Sequence, residues 1–214
     1  MKLQHHASLW ALNALLFLAS CSTPHRSATV SGNRIENLTI GFKGYHSRIP
    51  EGYVFVSESD TAATKGKDVV QAARNFRFTH GNVDASVDLV DTLPLVNEKA
   101  KRLIGFQAAT FATPGLMVVP NLARDQQFLS QAHQSWKPGS SGLWIEARFA
   151  SAQGYIFVGQ APWPNPAHGS HGIAIALLLG HLNEAIVIFG EAVDVDPSGI
   201  RSDVVKMADS TVIH

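Results

Sequence analysis

Cysteine is nearly absent from this chain of 214 residues: Cys21 is the only one. An internal disulfide is therefore impossible, and a multi-cysteine zinc module or a CxxC redox pair is excluded with it. Charge is scarce as well, at 16% of residues against about a quarter in ordinary domains, and the signs cancel, with 17 Lys and Arg against 17 Asp and Glu. Nucleic acid is a poor partner for such a chain, because neutralising phosphates takes clustered cations and the densest cluster is only Lys99, Lys101 and Arg102. The Gly-x-Ser-x-Gly elbow of a hydrolase, the Gly-rich phosphate loop and the Ca²⁺ loop are all missing. Ser140 and Ser141, between Gly139 and Gly142, read as a connection, and Ser170 beside His171 is a neighbour pair that does not make triad geometry. Asp84 and Asp88 share one face of a strand about 13 Å apart, too far for a carboxylate pair, which works at roughly 5–9.5 Å. Nothing in the composition requires a cofactor. With 45% hydrophobic residues the chain is nevertheless long enough to bury a substantial core.

The beginning of the chain carries the strongest signal. A short polar head with Lys2 precedes an uncharged run from Ala7 to Ala19 that includes Leu9, Trp10, Leu12, Leu15, Leu16, Phe17 and Leu18. As a helix this run would reach about 20 Å, short of the roughly 30 Å hydrocarbon core, so it has the length of a secretory signal and not of a permanent membrane span. Leu18-Ala19-Ser20-Cys21 then resembles the lipobox of bacterial lipoproteins, an aliphatic residue and two small ones before a Cys. The resemblance implies acylation of the Cys21 thiol, cleavage before Cys21 and an anchor in the bilayer. Two or three acyl chains hold stably where one would be marginal. Residue 22 is Ser and not Asp, which by the same resemblance implies the outer membrane, facing the periplasm. Residues 1–20 are accordingly read as the signal peptide. Residues 21–34, rich in Ser, Thr and Gly with Pro24, are read as a flexible tether, and 35–214 as one folded domain.

Within the domain, Ile35 to Ile40 and Gly52 to Ser57 read as strands separated by a Gly- and Pro-containing segment from Gly41 to Glu51. Asp60 to Asp68 reads as a loop and Asp68 to Arg74 as a turn or two of helix. Asn75 to Thr79 and the alternating Val83 to Leu89 form a hairpin around His80, Gly81 and Asn82. Leu95 to Ile104 has apolar residues at helical spacing, and Gly105 follows where a helix would stop. Leu116 to Val119 is a short strand before Pro120. Asn121 is an expected N-cap for a helix to Trp136, with Leu122, Leu129 and Trp136 seven apart, ended by Lys137-Pro138-Gly139. Leu143 to Phe149 and Tyr155 to Val158 form a second hairpin, with Leu143, Ile145 and Ala147 on one face and Trp144, Glu146 and Arg148 on the other. Gln160 to Gly172 reads as a long loop. Ile173 to Leu179 and Ala185 to Phe189 read as central, doubly covered strands, and Pro197 to Asp209 as a closing helix. Hairpins and helices without regular alternation indicate an α+β fold, an antiparallel sheet with helices packed on it.

Ile49-Pro50-Glu51-Gly52-Tyr53-Val54-Phe55 resembles the opening strand of the PsbP/Mog1-like group, and Asp203-Val204-Val205-Lys206-Met207-Ala208-Asp209-Ser210 resembles its terminal helix and closing Ser. The resemblance implies an α/β/α sandwich used as a binding or accessory module, with no catalytic residues to carry over. Two readings of function then stand side by side. In the first, the chain is a non-enzymatic envelope module that contacts a protein partner through the Trp163 loop, with His168 and His171, and through Trp144; Trp163 can equally plug the end of the sheet, and Trp144 can equally lie under a helix. In the second, a metal-dependent periplasmic enzyme uses His168 and His171, three residues apart, with His181 and Glu184 nearby in sequence.

Overall fold

Ile173, Ile175, Leu177 and Leu179 alternate along the chain with Ala174, Ala176 and Leu178. A strand built from this run turns apolar side chains to both sides and must be covered twice. The computed structural model describes residues 29–40, 43–61, 70–80, 102–111, 119–163, 166–180 and 184–214. These form strands β1 (Thr29–Ser31), β2 (Arg34–Ile40), β3 (Lys43–Arg48), β4 (Tyr53–Thr61), β5 (Val70–His80) and β6 (Arg102–Phe111), then helix α1 (Leu122–Trp136). Strands β7 (Ser141–Arg148), β8 (Gln153–Pro162), β9 (Ser170–Leu179) and β10 (Glu184–Ala192), helix α2 (Ser198–Ser210) and the short β11 (Val212–Ile213) complete them. The fold is α+β. A seven-stranded antiparallel sheet runs β4-β5-β6-β10-β9-β8-β7, and a small sheet runs β1-β2-β3-β11.

The two apolar faces of the large sheet have different covers. Ala174, Ala176, Leu178, Ile186, Ile188, Ile104, Phe106, Phe76 and Phe78 pack against Ile200, Val204, Met207 and Ala208 of α2 and against Ile35, Tyr45 and Ile49 from the small sheet and its exit. Ile173, Ile175, Leu177, Leu179, Ala185, Val187, Tyr155 and Phe157 pack against Leu129 of α1. The helix starts where its cap is supplied: the Asn121 side chain accepts from the Arg124 N–H at 3.0 Å, satisfying one of the donors that a helix start leaves open. Tyr155 ties that end to β8, taking the Asn121 N–H at 2.7 Å and donating to Asp125. On the other face Asp203 of α2 accepts from Tyr53 at 2.9 Å and pairs with Arg102 at 2.7 Å, and Ser210 accepts from the Arg48 N–H at 3.0 Å. Tyr53 belongs to the Pro- and Gly-led opening strand, and Asp203 and Ser210 to the closing helix.

Several elements differ from the sequence reading. Val70–His80 is a strand where residues 68–74 were expected to begin a helix, and Arg102–Phe111 is a strand where a helix was expected to end at Ile104. Leu103, Ile104 and Phe106 are all buried at the middle of the sheet, so this short apolar run is filled from both faces and mimics helical spacing only by accident. Gly105 is not a helix stop: a Cβ there would stand 2.0 Å from the Phe189 ring, which lies across it. The segment expected to separate two strands contains β3, whose sequence Lys-Gly-Tyr-His-Ser-Arg has little apolar signal. The expected tether is shortened, since residues 29–31 and 34 already belong to a hairpin turning at Gly32. Residues 1–28, the expected partner strand 83–89, residues 95–101 and residues 116–118 lie outside the described residues. Leu143 and Ile145, expected to face a core, are 75% and 44% exposed, because β7 is an edge strand and α2 sits over β9 and β10 without reaching it.

Helix α2 approaches the sheet over Gly190, where a Cβ would come within 2.5 Å of Ile200 and 2.6 Å of Val204. Gly190→Ala overpacks that contact and is expected to cost about 1–3 kcal/mol. At about 2–4 °C per kcal/mol for a chain of this size, differential scanning calorimetry should show the midpoint several degrees lower. An unchanged midpoint would mean that α2 does not sit on β10 as described.

Candidate functional site

The Trp163 loop is much shorter than the sequence suggested. β8 continues to Pro162 and β9 begins at Ser170, so only residues 163–169 connect them. A single 3₁₀ turn at Pro166–His168 and Gly169 in the left-handed region, φ +69, reverse the chain, and the Trp163 N–H donates to the Gly169 carbonyl at 3.0 Å. Trp163 turns inward. It is 7% exposed, packs against Leu103 with Val56 and Phe189 beside it, and stacks on the His171 ring at a centroid distance of 3.8 Å and 21°. Of the two readings of Trp163, the geometry is that of a plug at the end of the sheet.

His171 and His168 are separated by environment. His168 is exposed on the 3₁₀ turn, whereas His171 is buried beneath Trp163. His181 lies outside the described residues. Among the described residues no three His, Cys, Asp or Glu side chains converge as ligands to one metal ion. Trp144 is half-buried on the α1 side of β7, 5.4 Å from Phe157, 6.5 Å from Tyr155 and 6.4 Å from His133 of α1 between ring centroids. Its neighbours are those of a side chain under the helix.

The sequence reading missed the residues that complete the cluster. Glu191, on β10 opposite Ile173 and Leu103, is 6% exposed, with one carboxylate oxygen 3.6 Å from His171 Nε2 and the other paired with Lys137 Nζ. Lys137 is the residue that follows α1, so the helix end delivers a cation to the sheet face just where β10 places an anion. At 3.6 Å the imidazole is beyond hydrogen-bonding reach, and neither ring nitrogen has a hydrogen-bond partner among the described residues. Burial pushes the Glu191 carboxyl up, but the facing His171 and Lys137 outweigh it and hold it below its ordinary value. The signal that could have found the pair is local: a Glu inside an otherwise apolar strand needs a counter-charge, and the cation nearest a helix end is the natural donor. The arrangement can fix the end of α1 to the sheet. Trp163 stacks over His171, and of the three charged or titratable side chains only Lys137 reaches solvent.

Two outcomes follow from this geometry. Trp163→Ala removes a large buried ring and uncovers His171 and Leu103, with an expected loss of about 3–5 kcal/mol and a thermal midpoint lower by roughly ten degrees; a midpoint within a degree of the parent would place the ring in solvent. Glu191, whose folded-state carboxyl is depressed, contributes stability that is present above the unfolded value and is lost as pH falls through the folded one. Lys137→Met takes away the ammonium that holds it down. Urea unfolding should therefore show Lys137→Met less stable than the parent at pH 7 but losing less stability than the parent between pH 7 and pH 4, and parallel curves would refute the coupling.

No family model matches the sequence, and no curated protein does. Among solved structures it is similar to LpqN of Mycobacterium tuberculosis, described as involved in cell envelope biogenesis, with 12% identity and a TM-score of 0.41 over 84% of this chain and 88% of that one.

Proposed function

We propose that this chain is a lipid-anchored lipoprotein of the bacterial envelope, attached through acylated Cys21, whose α+β domain is a non-enzymatic binding or accessory module. The observation that carries the reading is Leu18-Ala19-Ser20-Cys21 directly after an uncharged run with Lys2 ahead of it. That Cys21 is the only thiol supports it, because a single Cys in an exported domain has no internal disulfide partner and acylation accounts for its presence. Two or three acyl chains on one residue give an anchor without any spanning segment, and among the described residues no helix is long and apolar enough to cross a membrane. Ser22 in place of Asp favours the outer membrane and its periplasmic face.

Binding is favoured over catalysis by the environment of the polar groups. In the His171–Glu191–Lys137 cluster the imidazole and the carboxylate are buried, with Trp163 stacked on His171, and the charge pair ties the end of α1 to the sheet. The partner, an envelope protein in this reading, meets the outer surface of the domain.

Intact-mass analysis of the protein extracted from membranes tests the anchor. The expected product lacks residues 1–20 and carries the added mass of acyl chains on Cys21. A soluble product that retains Met1, or a cleaved product with a free Cys21 thiol, overturns the reading. Cys21→Ser should leave the chain uncleaved or release it from the membrane fraction.

A further inference from the structure

The small sheet carries two histidines that neither the core nor the buried charge cluster uses. His46 lies on β3 opposite Val212 of β11, and His214 is two residues beyond Val212, so both side chains stand on the same face of this sheet. The His214 N–H donates to the Gly44 carbonyl at 2.9 Å, which holds the end of the chain in register. The outcome is a short contact between rings: His46 Nδ1 and His214 Nε2 are 2.7 Å apart, with ring centroids at 4.8 Å and 35°. His46 is half-buried and His214 exposed, so a solute reaches both.

From this geometry we infer that His46 and His214 form a two-histidine binding site for a tetragonal divalent metal ion, Cu(II) or Ni(II). Imidazole is a good ligand for first-row ions, and Cu(II) binds most tightly in that series. With metal–nitrogen bonds of about 2.0–2.1 Å, as for zinc, two nitrogens 2.7 Å apart subtend about 80° at the metal. A right-angled pair needs them about 2.9 Å apart, a shift of a few tenths of an ångström, whereas a tetrahedral pair needs about 3.3 Å. The separation thus lies closer to the square, cis arrangement than to the tetrahedral one that Zn²⁺ prefers. The remaining positions belong to water.

The protonation state agrees with this. One of the two facing nitrogens now carries the hydrogen of the contact; binding moves that proton to the ring's other nitrogen and turns both rings so that their lone pairs converge on the ion, and no net proton is released from two neutral rings. Burial, the neighbouring His214 and the Arg34 guanidinium together hold His46 below its ordinary value. Glu36 also faces this pair and opposes the cationic Arg34 and Arg48. The charges around the ion therefore partly offset each other, with the cationic pair in the majority. A bound ion would staple the two-residue β11 to β3 and stabilise only the folded state.

The test uses the untagged full-length protein in detergent, titrated with Cu(II) and followed by electron paramagnetic resonance and by the thermal midpoint. The expected result is one tight Cu(II) with a tetragonal spectrum coupled to two nitrogens, a rise in the midpoint, and weaker binding by about tenfold or more in His46→Ala and in His214→Ala. His46→Gln keeps a polar side chain on β3, serves if the alanine variant unfolds, and is expected to show the same loss. Affinity unchanged in both single variants would assign the ion to other histidines and overturn the proposal. So would failure of the parent to take up Cu(II), or a one-nitrogen spectrum insensitive to either substitution.

Discussion

Double coverage of the central strands is the constraint to which the other elements answer. From Gly172 to Leu179 every residue of β9 is buried, as are Ala185 to Ile188 in β10, so neither strand has a face to spare for water. An antiparallel sheet usually leaves one face solvated. Here α1 must lie on one side and α2 with the small sheet on the other. Each helix is then fixed by a polar pair at the point where it meets the sheet: Tyr155 with Asp125 for α1, and Tyr53 and Arg102 with Asp203 for α2. The apolar faces supply most of the free energy and are not directional. The buried tyrosines and carboxylates supply the register, since a displaced helix would leave them unsatisfied at a cost of about 1–3 kcal/mol each.

The Lys137–Glu191 pair belongs to the same logic. Glu191 alternates with Phe189 and Val187 on the α1 face, one step past the end of the apolar cover. A carboxylate at that step has lost most of its water, and the end of α1 provides the cation that replaces it. His171 adds a polarisable ring and Trp163 a lid of apolar area, so the charge is enclosed without being unpaired. This is the reason that Trp163 and His171, which stand in a segment whose composition invites a catalytic or binding interpretation, are here part of the core.

How far the sequence disclosed this depended on whether an element had one dominant period. Helix α1 was legible because Leu122 and Leu129 recur on one stripe behind a capping Asn121. β7 was legible from strict alternation, the middle of β8 from the apolar run Tyr155 to Val158, and β9 and β10 from runs too apolar to be exposed and too interrupted to cross a bilayer. β6 was misread because Leu103, Ile104 and Phe106 fill both faces of a central strand, and a doubly buried strand has no period to distinguish it from a helix end. β3 was invisible, since Lys43, Gly44, His46, Ser47 and Arg48 have almost no apolar content and, of its two buried residues Tyr45 and Ser47, only Tyr45 is apolar. That strand exists because β2 and β11 flank it. Glu191 and Lys137 are distant in sequence and brought together by the packing of α1; a lone Glu in an apolar strand signals the need for a cation, but which cation meets it is beyond any local pattern. The same is true of His46 and His214.

The position of the small sheet links the two ends of this account. Cys21 and the first residue of β1, Thr29, are eight residues apart in sequence, and a chain of that length spans at most about 28 Å. With Cys21 acylated, β1 is therefore confined to within that distance of the bilayer. β1 pairs with β2, β2 with β3, and β3 with β11, and strands in a sheet lie about 4.8 Å apart. Covalent geometry and strand order then keep the His46–His214 pair near the anchored end of the domain, while the exposed Leu143 and Ile145 stand on β7, the edge of the large sheet opposite β4. In the proposed lipoprotein the anchor would thus divide the surface: the histidine pair belongs to the sheet nearest Cys21 in the chain, and the free edge of the large sheet belongs to a separate sheet joined to it through the shared core around Ile35, Tyr45 and α2.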